Sequence, residues 1–285
     1  MEIPVDWKTI DLEGMEGTLL VVGEPGVGKS TFARALYEQL RALERRVAFL
    51  DGDPGQSTVG PPTTMTLSLH GDEKCFPPQG ATWRWFVGST TPAGHMLPLM
   101  VGASRLLRRA QESGAEVVIY DTTGLVGPAM GGDYLKMAKI DLLQPCLVVA
   151  IQRADELKGL LLPLKISKRT EVRILQPHPL ARRRDAEERQ KHRAARYRSY
   201  FKKAKPLTLR WSSFAIFPHP TFDPGRVVAL EDDQGFTLGL GIAHDENRRS
   251  NQVTLMTPLR SMGGVAMIRI GDVKINAETF RDQQI

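Results

Sequence analysis

Six short apolar runs punctuate the first two thirds of the chain: Thr18–Val22, Val47–Leu50, Thr82–Val87, Val117–Tyr120, Leu147–Ile151 and Val172–Leu175. They read as buried strands. Between several of them lie stretches with apolar residues at three- and four-residue spacing, Lys29–Leu43, Gly94–Glu112 and Asp133–Leu143. That spacing places one apolar stripe along a helix. Strand alternating with helix predicts an α/β domain, a parallel sheet with helices on both faces. In such sheets the ligand site lies beyond the carboxyl ends of the strands.

After Pro206 the pattern changes. Leu207–Phe217, Arg226–Leu230, Phe236–Ile242, Val253–Met256 and Ala266–Ile270 are strand-like runs broken by Pro, Gly and Asp, with no helical spacing. Two domains are therefore expected: 1–205, α/β, and 206–285, small and β-rich.

The loop after the first run is Gly23-Glu24-Pro25-Gly26-Val27-Gly28-Lys29-Ser30, followed by Thr31. It fits G-x-x-x-x-G-K-[ST] and stands where that motif must, between a strand and a helix. The glycines let backbone N–H groups point inward at a β-phosphate, and the helix N-terminus adds its positive end. Lys29 is expected to reach the β/γ oxygens, and Ser30 to ligate Mg²⁺. The motif predicts a P-loop NTPase fold binding ATP, or GTP, with Mg²⁺. It does not by itself choose among kinase, GTPase and ATPase.

Two strands run into carboxylates. Val47–Leu50 leads to Asp51-Gly52-Asp53-Pro54-Gly55-Gln56, and Val117–Tyr120 leads to Asp121-Thr122-Thr123-Gly124. A P-loop enzyme needs an acid near its metal, and a kinase gains from a carboxylate that takes the proton of the attacking hydroxyl. Asp51 or Asp53 suits the base, and Asp121 the metal. Asp-Gly and Asp-Pro also start ordinary turns. At the position where many P-loop proteins read the base stands Gln152-Arg153-Ala154-Asp155, not N-K-x-D. This argues against a dedicated GTPase. An ordinary helix start is the plainer reading there.

The formal net charge is +6, and its location matters more than its size. Residues 182–205 hold eleven Lys or Arg against three acids, a net of +8, which leaves −2 for the rest. One cationic segment on a near-neutral chain points to a polyanionic partner or to phosphates in a site. Arg189, Arg193 and Arg196 are spaced to share one helical face. Guanidiniums gathered there repel one another unless neutralised, so the helix is expected to be mobile without ligand. A lid, a nucleic-acid-binding strip and a solvated charged face all remain open on these grounds.

Taken in order, these motifs resemble the polynucleotide 5′-hydroxyl kinases, among them the kinase of mRNA 3′-end processing and tRNA splicing and the nucleolar kinase of pre-rRNA processing. Asp51-Gly52-Asp53-Pro54-Gly55-Gln56-Ser57 is similar to their D-x-D-x-G-Q segment, and Gly88-Ser89-Thr90-Thr91-Pro92 to their G-x-[ST]-[ST]-P turn. Tyr120-Asp121-Thr122-Thr123-Gly124 resembles the clasp that holds the nucleic-acid end, with Leu125 where the family has Trp. Arg193 to Phe201 resembles the arginine lid, and Phe236 to Ile242 a C-terminal segment of the nucleolar member. The resemblance implies a minimal kinase transferring the γ-phosphate of ATP, or GTP, to a 5′-OH end of RNA or DNA. It implies Lys29, Asp51, Asp53, Arg193 and Arg196 for catalysis, and Ser30, Asp53, Gln56 and Asp121 for the metal. Gln56, Thr90, Thr122, Thr123 and Gly124 would meet the acceptor.

The composition, 41% hydrophobic and 25% charged, is that of a globular chain. No apolar stretch is as long as a membrane-spanning helix requires. Met1 to Lys8 lacks the layout of a secretory leader, and Cys75 and Cys146 have no metal-ligand spacing. A cytoplasmic protein without membrane contact is expected, with an RNA-processing protein as partner of the C-terminal domain. The alternative from another class is a non-catalytic, ATP-bound scaffold of an RNA-processing complex. A GTPase or metal-insertion chaperone would need N-K-x-D and usually Cys or His clusters; neither is visible.

Overall fold

A computed structural model describes residues 4, 7, 10–74 and 76–285. Met1–Thr9, apart from Pro4 and Trp7, and Cys75 lie outside the described residues, and so do the readings placed on them. By internal contacts the chain divides into two compact units. One comprises Met1–Asp53, Thr66–Thr82 and Pro92–Arg184. The other comprises Pro54–Met65, Trp83–Thr91 and Asp185–Ile285. Residues 185–205 thus group with the C-terminal sheet, whereas the sequence reading places them with the first domain.

The P-loop lies on a seven-stranded sheet of order β4-β3-β2-β5-β1-β6-β7. Its strands are β1 (Gly17–Gly23), β2 (Val47–Gly52), β3 (Thr64–Leu69), β4 (Thr82–Phe86), β5 (Val117–Thr122), β6 (Leu147–Ile151) and β7 (Glu171–Leu175). The five from β2 to β7 in that order run parallel. All residues of β2, β5 and β6 are buried. Continuous apolar runs belong in a sheet covered on both sides. The connecting helices are α1 (Lys29–Ala42), α2 (Met96–Glu112), α3 (Gly132–Leu143) and α4 (Lys158–Ser167). In α1 the buried Phe32, Ala33, Leu36, Tyr37 and Leu40 form the predicted stripe.

Two elements among these strands and helices were not foreseen. β3 pairs antiparallel with β2, Ala48 opposite Leu69 and Asp51 opposite Thr66. Its sequence, TMTLSL, alternates polar with apolar, yet its Thr and Ser are buried as deeply as its Met and Leu. α4 contains Pro163 and buries Leu160, Leu161 and Leu164. A proline in mid-pattern normally reads as a break.

In the second unit, β8 (Lys205–Arg210), β10 (Arg226–Glu231), β11 (Thr237–Asn247), β12 (Gln252–Thr257), β13 (Met267–Ile275) and β14 (Asp282–Gln284) form an antiparallel sheet, and β9 (Ala215–Phe217) pairs parallel with β13. The pleat sorts β10 between two cores. Val227 and Ala229 pack with Phe86, Tyr197, Phe201 and Leu240. Val228 and Leu230 pack with Leu209, Phe222, Leu255 and Ile268. Tyr197 and Phe201 come from α5 (Ala186–Phe201), the basic helix. Its start carries a capping box, with Asp185 and Glu188 each accepting the other's backbone N–H.

Candidate active site

The P-loop leaves β1 and closes into α1 at Gly28. Gly28 is the helix N-cap and has a left-handed backbone, with φ at 98°. Glycine adopts that conformation without steric cost. This turn presents the first N–H groups of α1. Lys29 is buried and its Nζ donates to the Glu24 carbonyl at 2.8 Å. Burial pushes its pKa down, while Asp121, Asp53 and Glu24 pull the other way. Thr31 is exposed on the first turn.

The two acidic strand ends meet because β2 and β5 are neighbours in register. Asp51 is the Cα partner of Asp121, and Asp121 in turn pairs with Val21 of β1, just before the P-loop. Neighbouring strands lie about 4.8 Å apart, so the carboxylates stand side by side. Both are about 1% exposed. Burial, then the Asp51 charge, raises the Asp121 pKa to about 7; the Ser30 hydroxyl hydrogen-bonds it and Lys29 attracts it. One oxygen, Asp121 Oδ1, is buried with no hydrogen-bond partner. A buried carboxylate oxygen in that state, beside a P-loop serine, suits a cation. Asp51 Oδ1 accepts from the Asp53 backbone at 3.4 Å, and Asp53 is the less buried of the two.

The predicted clasp follows directly. Thr122 Oγ1 donates to the Val21 carbonyl at 2.7 Å. Gly124 lies against the P-loop: a Cβ there would come within 2.8 Å of Pro25. Beneath this segment stand two residues that the sequence reading passed over. Lys136 Nζ contacts Thr122 Oγ1 at 2.6 Å, the Thr123 carbonyl at 2.5 Å and Thr123 Oγ1 at 3.4 Å. Lys139 Nζ contacts Tyr120 Oη at 2.6 Å. Both lysines are fully buried. Burial pushes the Lys136 pKa well down, and that of Lys139 to about 7. Burial and the neighbouring carboxylates push the Tyr120 phenol up. The available signal was a pair of lysines flanked by Leu135 and Ile140 on an otherwise apolar helix face.

Gln152–Asp155 proves to be a turn. Glu156 accepts from the Arg153 and Ala154 backbones at 2.8 and 2.7 Å, and Arg153 Nη2 donates to the carbonyls of Gly26 and Ala181 at 3.1 and 3.3 Å. Arg153 braces the P-loop backbone.

The remaining predicted residues belong to the second unit. Gln56 Nε2 donates to the Gly55 carbonyl at 2.7 Å and the Arg189 carbonyl at 3.4 Å. Thr90 is half-buried, next to Ser89, whose hydroxyl hydrogen-bonds Gln284 at 3.1 Å. Arg193 Nε donates to both oxygens of Asp282, at 2.8 and 2.9 Å, and its Nη2 to Gln190. The Asp282 side chain is 3% exposed. Arg196 donates to the Gly60 carbonyl at 3.3 and 2.8 Å. His192 meets the Ser57 carbonyl at 3.0 Å, and Arg281 forks onto Glu187 at 3.0 and 2.7 Å. The expectation that only phosphate would neutralise these guanidiniums is therefore corrected. Asp282 and the Gly60 carbonyl partner Arg193 and Arg196, and both come from segments too distant in sequence to be foreseen.

The chain has relatives among known proteins. The chain is 27% identical over 321 residues to a polyribonucleotide 5′-hydroxyl-kinase of Thermococcus kodakarensis, covering 92% of this chain and 89% of that one. It is 32% identical over 148 residues to the polyribonucleotide 5′-hydroxyl-kinase of Methanocaldococcus jannaschii, a match spanning 52% of this chain and 40% of that protein. Among solved structures, Clp1p in its complex with Pcf11p superposes with a TM-score of 0.72 at 10% identity, over 94% of this chain and 77% of that one, which shows a shared fold. The family of the mRNA cleavage and polyadenylation factor CLP1 P-loop matches residues 23–203. A nucleotide-binding P-loop backed by paired strand-end carboxylates, and that match over most of the chain, make this protein a member of the CLP1 P-loop family.

Proposed function

We propose that this protein is an ATP-dependent polynucleotide 5′-hydroxyl kinase acting on RNA, with DNA and GTP as further substrates to be tested. The observation that carries the reading is the register of β2 against β5, which sets Asp51 and Asp53 beside Asp121 and the P-loop lysine and serine. The activity named for the relatives supports it.

The residues divide the work as follows. P-loop backbone amides and Lys29 hold the β/γ-phosphates and offset charge that builds on the transferring group. Asp53 takes the proton from the attacking 5′-hydroxyl. It is the more accessible carboxylate of the turn, whereas Asp51 is sunk against the Asp53 backbone. Ser30 and Asp121 would hold Mg²⁺, which would supply positive charge against that of the phosphates. Thr122, Thr123 and Gly124 position the acceptor end. Arg193 and Arg196 are the lid residues that the resemblance implies; in the second unit their guanidiniums are held by Asp282 and the Gly60 carbonyl. Leu125, in place of Trp, offers the terminal base apolar contact only.

The test is transfer of labelled γ-phosphate to 5′-OH RNA and DNA oligonucleotides, with Lys29→Ala and Asp53→Asn as controls. Both variants should lose at least about 10²-fold in rate while staying folded. Folded wild-type protein that labels neither acceptor from ATP or GTP rejects the reading. Tight, untransferred ATP would then favour the scaffold.

A further inference from the structure

An ammonium in a protein interior is costly unless its donors are met. Lys136 is fully buried, on the apolar side of α3, between Leu135 and Ile140. A side chain needed only to fill that space would be apolar. Instead it carries an amine whose N–H groups donate. Three oxygens face them: Thr122 Oγ1, the Thr123 carbonyl and Thr123 Oγ1. The Thr122 hydroxyl spends its own proton on the Val21 carbonyl, so it turns lone pairs toward the lysine. The segment is thereby tied on one side to the strand that feeds the P-loop and on the other to α3. Just beyond it, Gly124 rests on Pro25 with no room for a Cβ. Lys139, one turn later on α3, does the same for the preceding residues through Tyr120 Oη.

We propose that Lys136 is a positioning residue for the acceptor: it fixes Thr122–Gly124 in the conformation that receives the 5′-OH end, so α3 governs affinity for the nucleic acid and not for the nucleotide. This rests on the kinase reading of the same site. Lys136 touches neither reacting atom; it acts through the two threonines. Nucleotide contacts depend on Gly23–Ser30, whereas the bonds of Lys136 go to Thr122 and Thr123. Losing it should therefore split the two Michaelis constants.

The experiment compares Lys136→Met, which keeps length and removes every donor, with Lys136→Gln, which keeps an amide donor, in the full chain. The Met variant should raise KM for a 5′-OH oligoribonucleotide roughly 10-fold or more, and leave KM for ATP within about 3-fold. Amide hydrogen exchange at residues 122–125 should quicken about 10-fold or more, with residues 19–22 unchanged. The Gln variant should fall between Met and wild type, and stands in if the Met variant does not fold. Equal rises in both KM values, or unchanged exchange at 122–125, overturn the proposal. If wild-type protein transfers no phosphate, the kinase reading has failed; exchange at 122–125 and anisotropy of a labelled 5′-OH oligonucleotide still decide whether Lys136 orders a nucleic-acid-binding segment.

Discussion

Gly52→Ala is the sharpest perturbation of the acidic turn. A Cβ on Gly52 would stand 2.1 Å from Tyr120 Cε2 and 3.0 Å from both Cζ and Oη. Carbon atoms settle at about 3.5–4.0 Å, so about 1.4 Å of movement must come from somewhere. The ring cannot yield easily: it is fully buried, its hydroxyl is held by Lys139 at 2.6 Å, and the same ammonium lies 4.7 Å from the ring centroid. Gly52 is not among the glycines with positive φ. Alanine therefore carries no backbone penalty there, and the steric effect is isolated. Overpacking of this kind costs about 1–3 kcal/mol. The turn carrying Asp51 and Asp53 is the part that gives, and a shift near 1 Å in a catalytic group can cost about 10² in rate. The assay is kcat at saturating ATP and acceptor, with nucleotide affinity and thermal midpoint measured in parallel. The expected result is a large fall in kcat, little change in nucleotide affinity, and partial recovery in Gly52→Ala/Tyr120→Leu, where the obstructing ring is gone. Wild-type kcat in folded Gly52→Ala would refute the claim that Tyr120 sets the position of the acidic turn.

Asp282→Ala leaves the half-buried Arg193 without its bidentate partner. It should destabilise the second unit by about 3 kcal/mol, read from urea unfolding; a loss under about 0.5 kcal/mol would mean the pair is solvated. Lys139 has its native pKa pulled to about 7 from an ordinary 10.5. Between those values the unfolded chain holds a proton that the native one lacks. This group therefore makes stability rise with pH from about 7 to 10.5 and contributes no slope below. Lys139→Met should flatten that rise, and identical urea midpoints against pH in the two proteins would count against it. Asp121→Asn should stabilise the metal-free protein, since it relieves a buried carboxylate crowded by Asp51. It should also abolish the thermal stabilisation that Mg²⁺-ATP brings to wild type. Scanning calorimetry with and without Mg²⁺-ATP checks both halves.

Local chemistry determined much of this protein in advance. Backbone sterics and phosphate binding require glycine, lysine and serine at fixed spacing, so the P-loop was legible residue by residue. Strand-length apolar runs between amphipathic helices announced the parallel sheet, because burial on both faces leaves no polar position. The D-x-x-E start of the basic helix carried its own capping signal. Proline at 163 hid α4, and polar residues that are nonetheless buried hid β3. What no local signal contains is which strand lies beside which. Only the pairing of β2 with β5, in register, brings Asp51 to Asp121, and only the packing of α3 under the sheet turns two lysines into buried partners of Thr122, Thr123 and Tyr120. Asp282 reaches Arg193 across 89 positions of sequence. Charges and hydroxyls at such separations become neighbours through the burial of other residues, so the tertiary fold decides their pairing.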